Sequence, residues 1–380
     1  MKHFKILFIA TLFIVGIFCG PKQGNVIRIG LIIPITGDVK TFGESVRNSV
    51  LLAVAEANQK GGVNGKLIKI ISADDKNDPT EAANAASKLI NQDKVKFIIG
   101  SVASKSSIPL SEICQQSKVL MITPTSTNPK VTIRDDGTRK DYVFRACFID
   151  PFQGTVAAKF AVEYMKAKKT AVLYDKSNDY STGLAEFFKD NFIKNGGVVS
   201  VYESYGKDDV DFSALLTKVK ADNLNILFLP DYYTKVGLIT KKARELGITA
   251  TFLGGDGWDS PEMAKIAGDA IDGGYFTNHY SPQDTRPEVQ EWVAKYETKY
   301  GSKPDALGTL GYDATNLLLE AIRVAGTDDP TSVRDALTKL SNFPCVSGNI
   351  TFDAFGNPVK NAVILQYQNG EQKYVATVQP

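Results

Sequence analysis

The sequence predicts an α/β protein of two lobes, each with a parallel sheet covered by helices. Its 380 residues exceed what one hydrophobic core usually spans. Short apolar runs alternate with amphipathic segments over most of the chain, which is typical of parallel strands with helices on both faces. This alternation starts a second time at "YVFRACF" (142–148), so two similar lobes are expected.

The first series contains four apolar runs: "VIRIGLIIPI", "KLIKIISADD", "KVKFIIGS" and "KVLMITP". The helical pattern after the first run has Val46, Val50 and Val54 four residues apart. "GGVNGK" (61–66) lacks the spacing of a phosphate loop and predicts a helix stop and turn. "DDKNDP" (74–79) lacks the calcium-loop pattern and predicts a solvated loop that caps a helix starting at Pro79.

The second series continues with a helix carrying Val156, Phe160 and Tyr164, then "TAVLYD", a helix from about Ser181 to Lys194, "VVSVYESY", "ILFLP" and "ATFLGG". After Arg286 the pattern changes to three helices, predicted at Pro287–Tyr300, Leu307–Val324 and Pro330–Leu340. The final segment is again β-like, with turn signals at Gly356-Asn357 and Asn369-Gly370. It predicts a hairpin or meander added to one lobe.

The first nineteen residues predict a signal peptide, since a basic start precedes an apolar run from Ile6 to Phe18. That run is short for a membrane span, although a permanent anchor helix is the alternative. Cys19 follows directly, as in a bacterial lipoprotein signal, but Gly16 and Phe18 depart from that pattern. We therefore expect an exported protein, periplasmic or anchored to the membrane through Cys19.

Composition and motifs argue against several other classes of function. The formal charge of +2 would be lost with Lys2 and Lys5 of the leader, and no basic stripe suggests a nucleic-acid partner. His279 is the one histidine beyond the leader, and no G-x-S-x-G, G-x-G-x-x-G, Walker or HExxH motif is present. The sequence thus predicts neither an enzyme nor a metal site. Cys114, Cys147 and Cys345 are interpreted as buried thiols, with one disulfide as the alternative.

Candidate ligand contacts follow the strands, because ligands of open parallel sheets bind beyond the strands' carboxyl ends. Ser104 comes at a predicted helix start, and "MITPTSTNP" (121–129) places hydroxyls at Thr125, Ser126 and Thr127 after a strand. These donors suit a carboxylate, while Asp256, in the second series, suits an ammonium. The alternatives are an ordinary N-cap at Ser104 and an ordinary turn at Thr127-Asn128. Donors in one lobe and an acid in the other favour a clamp for a zwitterion.

The sequence resembles the extracytoplasmic solute-binding proteins of ABC amino-acid importers, in the leucine/isoleucine/valine-binding branch of the type I periplasmic fold. The resemblance runs from about Val26 to the C-terminus and is carried by "GLIIPITGDVKTFG", "ANQKGGVNGK", "IIGSVASKSS", "MITPTSTNP", "VFRACFIDPFQG", "DYSTGLAEFF", "GGDGWDSPE" and "GNITFDAFGNPVK". It implies two Rossmann-like lobes with parallel sheets, joined by a three-segment hinge. Lobe 1 would comprise 26–146 and 282–346, and lobe 2 would comprise 147–281 and 347–380.

The resemblance also assigns roles by position. Ser104 and Thr127 match residues that bind the ligand carboxylate, Ser126 supplies backbone groups, and the carbonyl of Thr125 or Ser126 joins Asp256 around the ammonium. Two tyrosines, Tyr180 and Tyr232, match aromatic positions that close over the ligand, and Phe42 matches the side-chain wall. Asp256 is shorter than the glutamate of some members. Trp258 and Phe276 are further wall candidates, with a packed core tryptophan as the alternative.

The resemblance implies a function in transport. The protein would capture a free amino acid, branched-chain or another neutral aliphatic one, and deliver it to an ABC permease in the membrane. It would act as a monomer without a cofactor or catalysis. Crossings between lobes are expected near 146–151, 279–282 and 346–351, where Cys147 and Cys345 could form a disulfide. A sensor or binder of an amide or short-chain acid on the same fold is the second hypothesis, and a hydrolase or dehydrogenase is the third.

Overall fold

The structure is a computed structural model that describes residues 26–222 and 224–380. The predicted signal peptide and Cys19 lie outside these residues. Two separate sheets form, one from the N-terminal part of the chain and one from the part after residue 168. The prediction of an α/β fold with two parallel-stranded lobes is therefore confirmed.

The first sheet has five parallel strands in the order β2-β1-β3-β4-β5. Its central strands β3 and β4 are buried along their whole length, because helices cover both faces. The strands are β1 (Val26–Ile33), β2 (Leu67–Asp74), β3 (Phe97–Gly100), β4 (Leu120–Thr123) and β5 (Val143–Arg145).

The second sheet has seven strands in the order β12-β11-β10-β9-β8-β6-β7. β6 to β10 are parallel, and the closing hairpin β11-β12 adds to β10 in antiparallel fashion, as predicted. The strands are β6 (Lys169–Asp175), β7 (Val198–Tyr205), β8 (Ile226–Leu229), β9 (Thr251–Gly254), β10 (Tyr275–Asn278), β11 (Ala362–Gln368) and β12 (Glu371–Val378).

Eleven α-helices lie within the described residues. Those of the first series are α1 (Lys40–Gln59), α2 (Pro79–Asn91) and α3 (Ser104–Ser117). Those of the second series are α4 (Asp150–Lys159), α5 (Asp179–Lys194), α6 (Ser213–Lys220), α7 (Tyr233–Glu245) and α8 (Pro261–Ala267). The helices after the second series are α9 (Pro287–Tyr300), α10 (Ala306–Ala325) and α11 (Pro330–Thr338).

Most predicted elements are confirmed, and several details differ. α2 starts at Pro79 and Asp78 caps it, accepting from the amides of Thr80 and Glu81. "YVFRACF" does not begin the second lobe, because β5 pairs with β4 and completes the first sheet. α5 starts at Asp179, two residues before the prediction, since Asn178 supplies the cap. The helix predicted to carry Val156, Phe160 and Tyr164 on one face ends at Lys159, and a π-helical turn follows at Phe160–Tyr164. The change of helical period leaves Tyr164 exposed.

The last three helices return to the first sheet. α10 packs along α1 so closely that a Cβ on Gly311 would lie 3.2 Å from the Val46 carbonyl oxygen. α11 in turn packs against α10 and β4. The first sheet is thus covered both by helices of the first series and by helices that follow the second series.

Three connections join the two sheet units, after β5, after β10 and after α11. On the third connection, the turn at 352–357 stays with the first sheet. There the Gly356 carbonyl accepts from the Arg145 amide at 3.3 Å, and Phe352 packs edge-on against Phe144. The lobe boundaries given above stay a prediction.

No helix in the part of the chain that the structure describes is both long enough and apolar enough to cross a membrane.

Candidate functional site

The carboxyl ends of both sheets face a small cavity of about 20 Å³. Six of the eight residues proposed from the sequence line it, and each follows a strand or opens the helix after one. The other lining residues are Val102, Gly257 and Leu307. The six proposed residues are Phe42, Ser104, Thr125, Tyr180, Tyr232 and Asp256.

Hydroxyl groups from two strand ends form one wall of the site. Ser104 is the first residue of α3, but Ala103 is the N-cap and no side chain caps this helix, so the N-cap alternative for Ser104 is wrong. The Ser104 hydroxyl instead accepts from the Asn128 amide at 3.3 Å. Its own hydrogen therefore remains available to a ligand. Thr125 donates to the Val102 carbonyl at 2.8 Å, which uses its hydroxyl hydrogen.

Ser126 and Thr127 lie behind this wall and do not line the cavity. The Ser126 hydroxyl bonds to the Ser107 hydroxyl at 2.6 Å and to the Val102 carbonyl at 2.9 Å. Thr127 is buried and its hydroxyl has no hydrogen-bond partner in the protein. Ser104 therefore keeps a hydroxyl hydrogen that a ligand carboxylate could accept, whereas the nearest carboxyl group to the Thr127 hydroxyl within the protein is that of Asp150.

A buried arginine positions the loop that carries these hydroxyls. Arg145, at the end of β5, donates through Nη1 to the Ser126 carbonyl at 2.6 Å and through Nη2 to the Asn128 carbonyl at 3.0 Å. Because the guanidinium is fully buried behind the loop and does not line the cavity, it orients the wall without facing the ligand space. Sequence reasoning did not identify this residue.

Asp256 lies opposite the hydroxyl wall, at the start of a 3-10 turn after β9. Its Oδ1 accepts from Gln153 Nε2 at 2.8 Å and from the Tyr180 hydroxyl at 2.9 Å. Its Oδ2 lies 2.9 Å from His279 Nε2. Burial lowers the pKa of His279, so the imidazole is neutral at pH 7 and donates from Nε2. All three partners are therefore neutral donors, and none cancels the charge of the carboxylate.

Gln153 and His279 are functional residues that the sequence analysis missed. Gln153 lies in "VFRACFIDPFQG", one of the stretches that carry the resemblance, so its position was available as a signal. His279 was considered only as a catalytic base. Its contact with Asp256 depends on how β9 and β10 lie together in the sheet, which one sequence does not show.

Two stacked tyrosines close the second-sheet side of the cavity. The rings of Tyr180 and Tyr232 lie 5.2 Å apart and are parallel within 3°, and Phe42 meets Tyr232 edge-on at 5.8 Å. Gly257 allows this arrangement, since a Cβ there would lie 3.0 Å from the Tyr232 ring and 3.1 Å from the Tyr180 ring.

Trp258 and Phe276 belong to the core and not to the cavity wall. Trp258 is fully buried, donates from Nε1 to the Leu229 carbonyl at 2.9 Å and stacks on Phe276. Phe276 stacks in turn on Tyr367. The suggestion that these two residues line the pocket is therefore wrong, and the core alternative is confirmed for Trp258.

One further carboxyl lies close behind the hydroxyl wall. Asp150 opens α4, and its amide donates to the Thr127 carbonyl at 3.0 Å. No side chain lies within strict hydrogen-bond geometry of its carboxyl oxygens, and the Thr127 hydroxyl nearby only partly opposes the effect of burial on the pKa. Burial raises the pKa of Asp150 to about 8, so this group is largely protonated at pH 7.

Direct contacts between the two sheet units close the rim of the cavity. The Tyr233 hydroxyl donates to the Asp38 carbonyl at 3.1 Å, and the Asn128 side-chain amide donates to the Asp179 carbonyl at 2.9 Å. These bonds join residues at the carboxyl ends of the two sheets. The two sheet units are therefore in contact over a cavity that has room for about one water molecule, so an amino acid could enter only if the units move apart.

Within the described residues, the cysteines form no disulfide and the acidic side chains form no metal site. Cys114, Cys147 and Cys345 are all buried and free, which confirms the interpretation as buried thiols, and the disulfide suggested for Cys147 and Cys345 is not formed. Within residues 26–222 and 224–380, no group of three or more His, Cys, Asp or Glu side chains could hold a metal ion.

Comparison with protein families now gives the context of this cavity. Residues 26–372 match the family model described as "Periplasmic binding protein". The chain belongs to this family. Its members are named for the periplasm, which places the protein outside the cytoplasm.

Individual relatives agree with the family match. The chain is 36% identical over 346 residues to "Leu/Ile/Val-binding protein homolog 2" of Brucella abortus (strain 2308), covering 91% of each chain. It is similar to the crystal structure of the leucine-binding protein LivK from Thermotoga maritima, with 39% identity, a TM-score of 0.88 and coverage of 93% of this chain and 99% of that one. LivJ from Streptococcus pneumoniae, solved in complex with isoleucine, has 29% identity, a TM-score of 0.87 and coverage of 93% and 100%.

Proposed function

We propose that this periplasmic binding protein captures a free amino acid, branched-chain or another neutral aliphatic one, and delivers it to an ABC permease in the membrane. The supporting observation is the polarity across the cavity: the Ser104 hydroxyl, whose hydrogen is free, on one side and the Asp256 carboxylate, held only by neutral donors, on the other. A zwitterion placed between them would find donors for its carboxylate and a negative charge for its ammonium. The relatives named for leucine, isoleucine and valine support the same ligand class.

The proposed contacts follow from the geometry of the donors. Ser104 would donate to the ligand carboxylate from the cavity wall, Thr127 would join it from behind that wall, and backbone groups of Ser126 would complete its surroundings. The carbonyl of Thr125 or Ser126 would join Asp256 around the ammonium. Asp256 would accept from the ammonium. For the side chain of the ligand, Phe42, Val102, Leu307 and the two stacked tyrosines Tyr180 and Tyr232 offer an apolar wall. Such a wall favours an aliphatic side chain over a charged one.

Binding would proceed by closure of two lobes, one of 26–146 and 282–346 and the other of 147–281 and 347–380. The hydroxyl wall belongs to the first lobe and Asp256 to the second, so an amino acid would bridge them and favour the closed form. Closure excludes water, which strengthens the charged contacts. The closed form would be the one that the permease recognises.

No catalytic step is part of this proposal, because no group at the cavity is placed as a nucleophile beside a base. The protein would act as a monomer, exported by its N-terminal segment and either free in the periplasm or anchored through Cys19. A binder of a short-chain acid or amide on the same fold is the second candidate, and Asp256 favours a ligand with an amine over it.

The test is calorimetric titration of the unfolded, ligand-stripped and refolded protein with the common amino acids. We expect saturable binding of leucine, isoleucine or valine, and no detectable binding of aspartate or lysine. A matched control is 2-hydroxy-4-methylpentanoate, which has the carboxylate and side chain of leucine but a hydroxyl in place of the amine. Folded protein that binds no amino acid, or that prefers the hydroxy acid to leucine, would contradict the proposal.

A further inference from the structure

His279 offers a way to explain how the site selects an amine, an inference that rests on the proposed function. A carboxylate has about four acceptor positions, two on each oxygen. On Asp256, both positions of Oδ1 are used, by Gln153 and by Tyr180, and one position of Oδ2 is used by His279. One acceptor position is left, and it is on Oδ2, the oxygen that His279 holds. A ligand ammonium and the imidazole would therefore share this atom.

The protonation state of His279 decides the net charge of the Asp256–His279 pair that the ligand's ammonium would face. A neutral His279 donates one hydrogen and leaves the net charge of the pair at −1. A protonated His279 would form a buried ion pair with Asp256, whose net charge is zero, and the ammonium would then face a neutral site. The amide of Gln153 and the hydroxyl of Tyr180 cannot change charge in this way near pH 7. Of the three donors to Asp256, His279 is therefore the one that can switch the site.

The structure holds the imidazole in the neutral form by position and packing. His279 directly follows β10, is 2% exposed, and stacks on Phe148 with ring centroids 3.7 Å apart. Its Nδ1 has no hydrogen-bond partner in the protein, so no acceptor stabilises a second ring hydrogen. The residue also lines a cavity of about 670 Å³ on the connections between the lobes, together with Ser347 and Lys360.

Charged groups around His279 and Asp256 both raise and lower the pKa of His279. Burial is the main cause that lowers the pKa of His279, Asp256 opposes it, and the buried ammonium of Lys360 adds to it. Lys360 itself donates to the Ser347 hydroxyl and faces Asp313. The remaining titratable groups that face Asp256 are Cys147, Asp150, Tyr180, Tyr232 and Asp259.

We propose that His279 is a positioning residue for ligand selection: as a neutral imidazole it fixes Asp256 through Nε2 and leaves the negative charge for the ligand's ammonium. Protonation at Nδ1 cancels that charge and releases amine-bearing ligands. Affinity for leucine therefore falls when pH decreases through the titration of His279. Affinity for 2-hydroxy-4-methylpentanoate changes much less, since its hydroxyl carries no charge and its carboxylate stays ionised over this range.

The first arm of the test needs no ligand. The imidazole signal of His279 is followed by NMR against pH in the whole protein, and the His279→Gln variant assigns it by its loss. We expect a ring that is neutral at pH 7.5 and titrates below the ordinary value of about 6.5 while the protein is still folded; a ring that stays neutral until acid unfolding would overturn the proposed switch. An imidazole that is charged at pH 7.5 would overturn the proposal, whether or not any amino acid binds.

The second arm measures affinity for leucine and for the hydroxy acid between pH 7.5 and 4.5. We expect His279→Ala to weaken leucine binding at pH 7.5 by roughly tenfold or more, and His279→Gln, whose amide can still donate, to recover most of that loss. The glutamine variant should also lose the acid-dependent fall in leucine affinity. A wild-type leucine affinity that stays constant while the imidazole titrates, or a glutamine variant with the wild-type pH profile, would overturn the proposal. If the wild-type protein binds no leucine at pH 7.5, the proposed function fails while the NMR arm still decides the state of His279.

Discussion

Replacing Asp256 by asparagine tests the charge of the site with almost no change of shape. The side-chain oxygen of asparagine can still accept from Gln153 and Tyr180. Its NH₂ group would face His279 Nε2, and the ring can answer by moving its hydrogen to Nδ1, which has no partner to lose. We therefore expect the Asp256→Asn protein to fold, with a thermal unfolding midpoint close to that of the wild type.

The expected loss of affinity follows from the contact that the ammonium would make. Two unit charges about 3 Å apart attract by roughly 5 kcal/mol at an effective dielectric constant of about 20. Part of this is offset by the water that both groups give up, and charged hydrogen bonds contribute about 1.5–3 kcal/mol net. A loss of about 2–4 kcal/mol corresponds to leucine binding weakened by roughly 30- to 1000-fold.

The assay is calorimetric titration of leucine and 2-hydroxy-4-methylpentanoate into both proteins. The matched control is Asp211→Asn, which makes the same chemical change at an exposed residue before α6 that does not line the cavity and should leave the affinity unaltered. Affinity for the hydroxy acid should fall much less than that for leucine in Asp256→Asn. The reasoning is refuted if the folded Asp256→Asn protein binds leucine within about threefold of the wild type, since the carboxylate would then not meet the ammonium.

Three further variants probe the surroundings of the site. Gly255→Ala would place a Cβ 2.4 Å from the Tyr180 hydroxyl, so we expect leucine affinity in calorimetry to fall by roughly tenfold or more, and a loss under twofold would contradict this. Asp150→Asn should raise the free energy of unfolding in urea, more at pH 8 than at pH 5. The pKa of Asp150 in the folded protein, about 8, lies above its value in the unfolded chain, so the wild-type free energy of unfolding falls as pH rises from about 4 to 8. Asparagine does not ionise, so the variant escapes this fall. A difference in free energy of unfolding between variant and wild type that is the same at pH 5 and pH 8 would contradict this. Trp258→Phe removes the bond to the Leu229 carbonyl and should lower the free energy of unfolding by about 1–3 kcal/mol, whereas an unchanged urea midpoint would show that the bond contributes nothing.

The sequence was sufficient for the fold because strand and helix periods repeat locally. Except for the short β5 and the final hairpin, every strand of the two sheets follows or precedes a helix whose apolar residues recur with the helical period in the sequence. β5 was assigned to the wrong series because three residues carry no sign of which neighbour they pair with. The π-helical turn at Phe160–Tyr164 was missed for a related reason: it is a local change of hydrogen bonding that no particular residue type indicates.

Some residues of the candidate site could be proposed from the sequence and others could not. Ser104, Thr125 and Asp256 could be proposed because they follow strands, and ligands of parallel sheets collect at those ends. The hydrogen bond from Gln153 to Asp256 could not be worked out from strand ends, since Gln153 is 103 positions away in the chain and reaches Asp256 through the packing of α4 on β10. Arg145 was missed for a different reason: it contacts backbone carbonyls, and carbonyls leave no trace in a sequence.

The packing of α10 on α1 has a consequence for how the protein is made. α1 comes among the first sixty residues and its partner ends at Ala325, so a ribosome must add more than 260 residues before the two can meet. Until then the apolar face with Val46 and Val50 lacks its α10 partner, while the parallel strands β6 to β10 of the second sheet have already been made. Such late closure makes folding slow, because distant segments must find each other. The N-terminal half of the nascent chain therefore stays open for a long interval during synthesis.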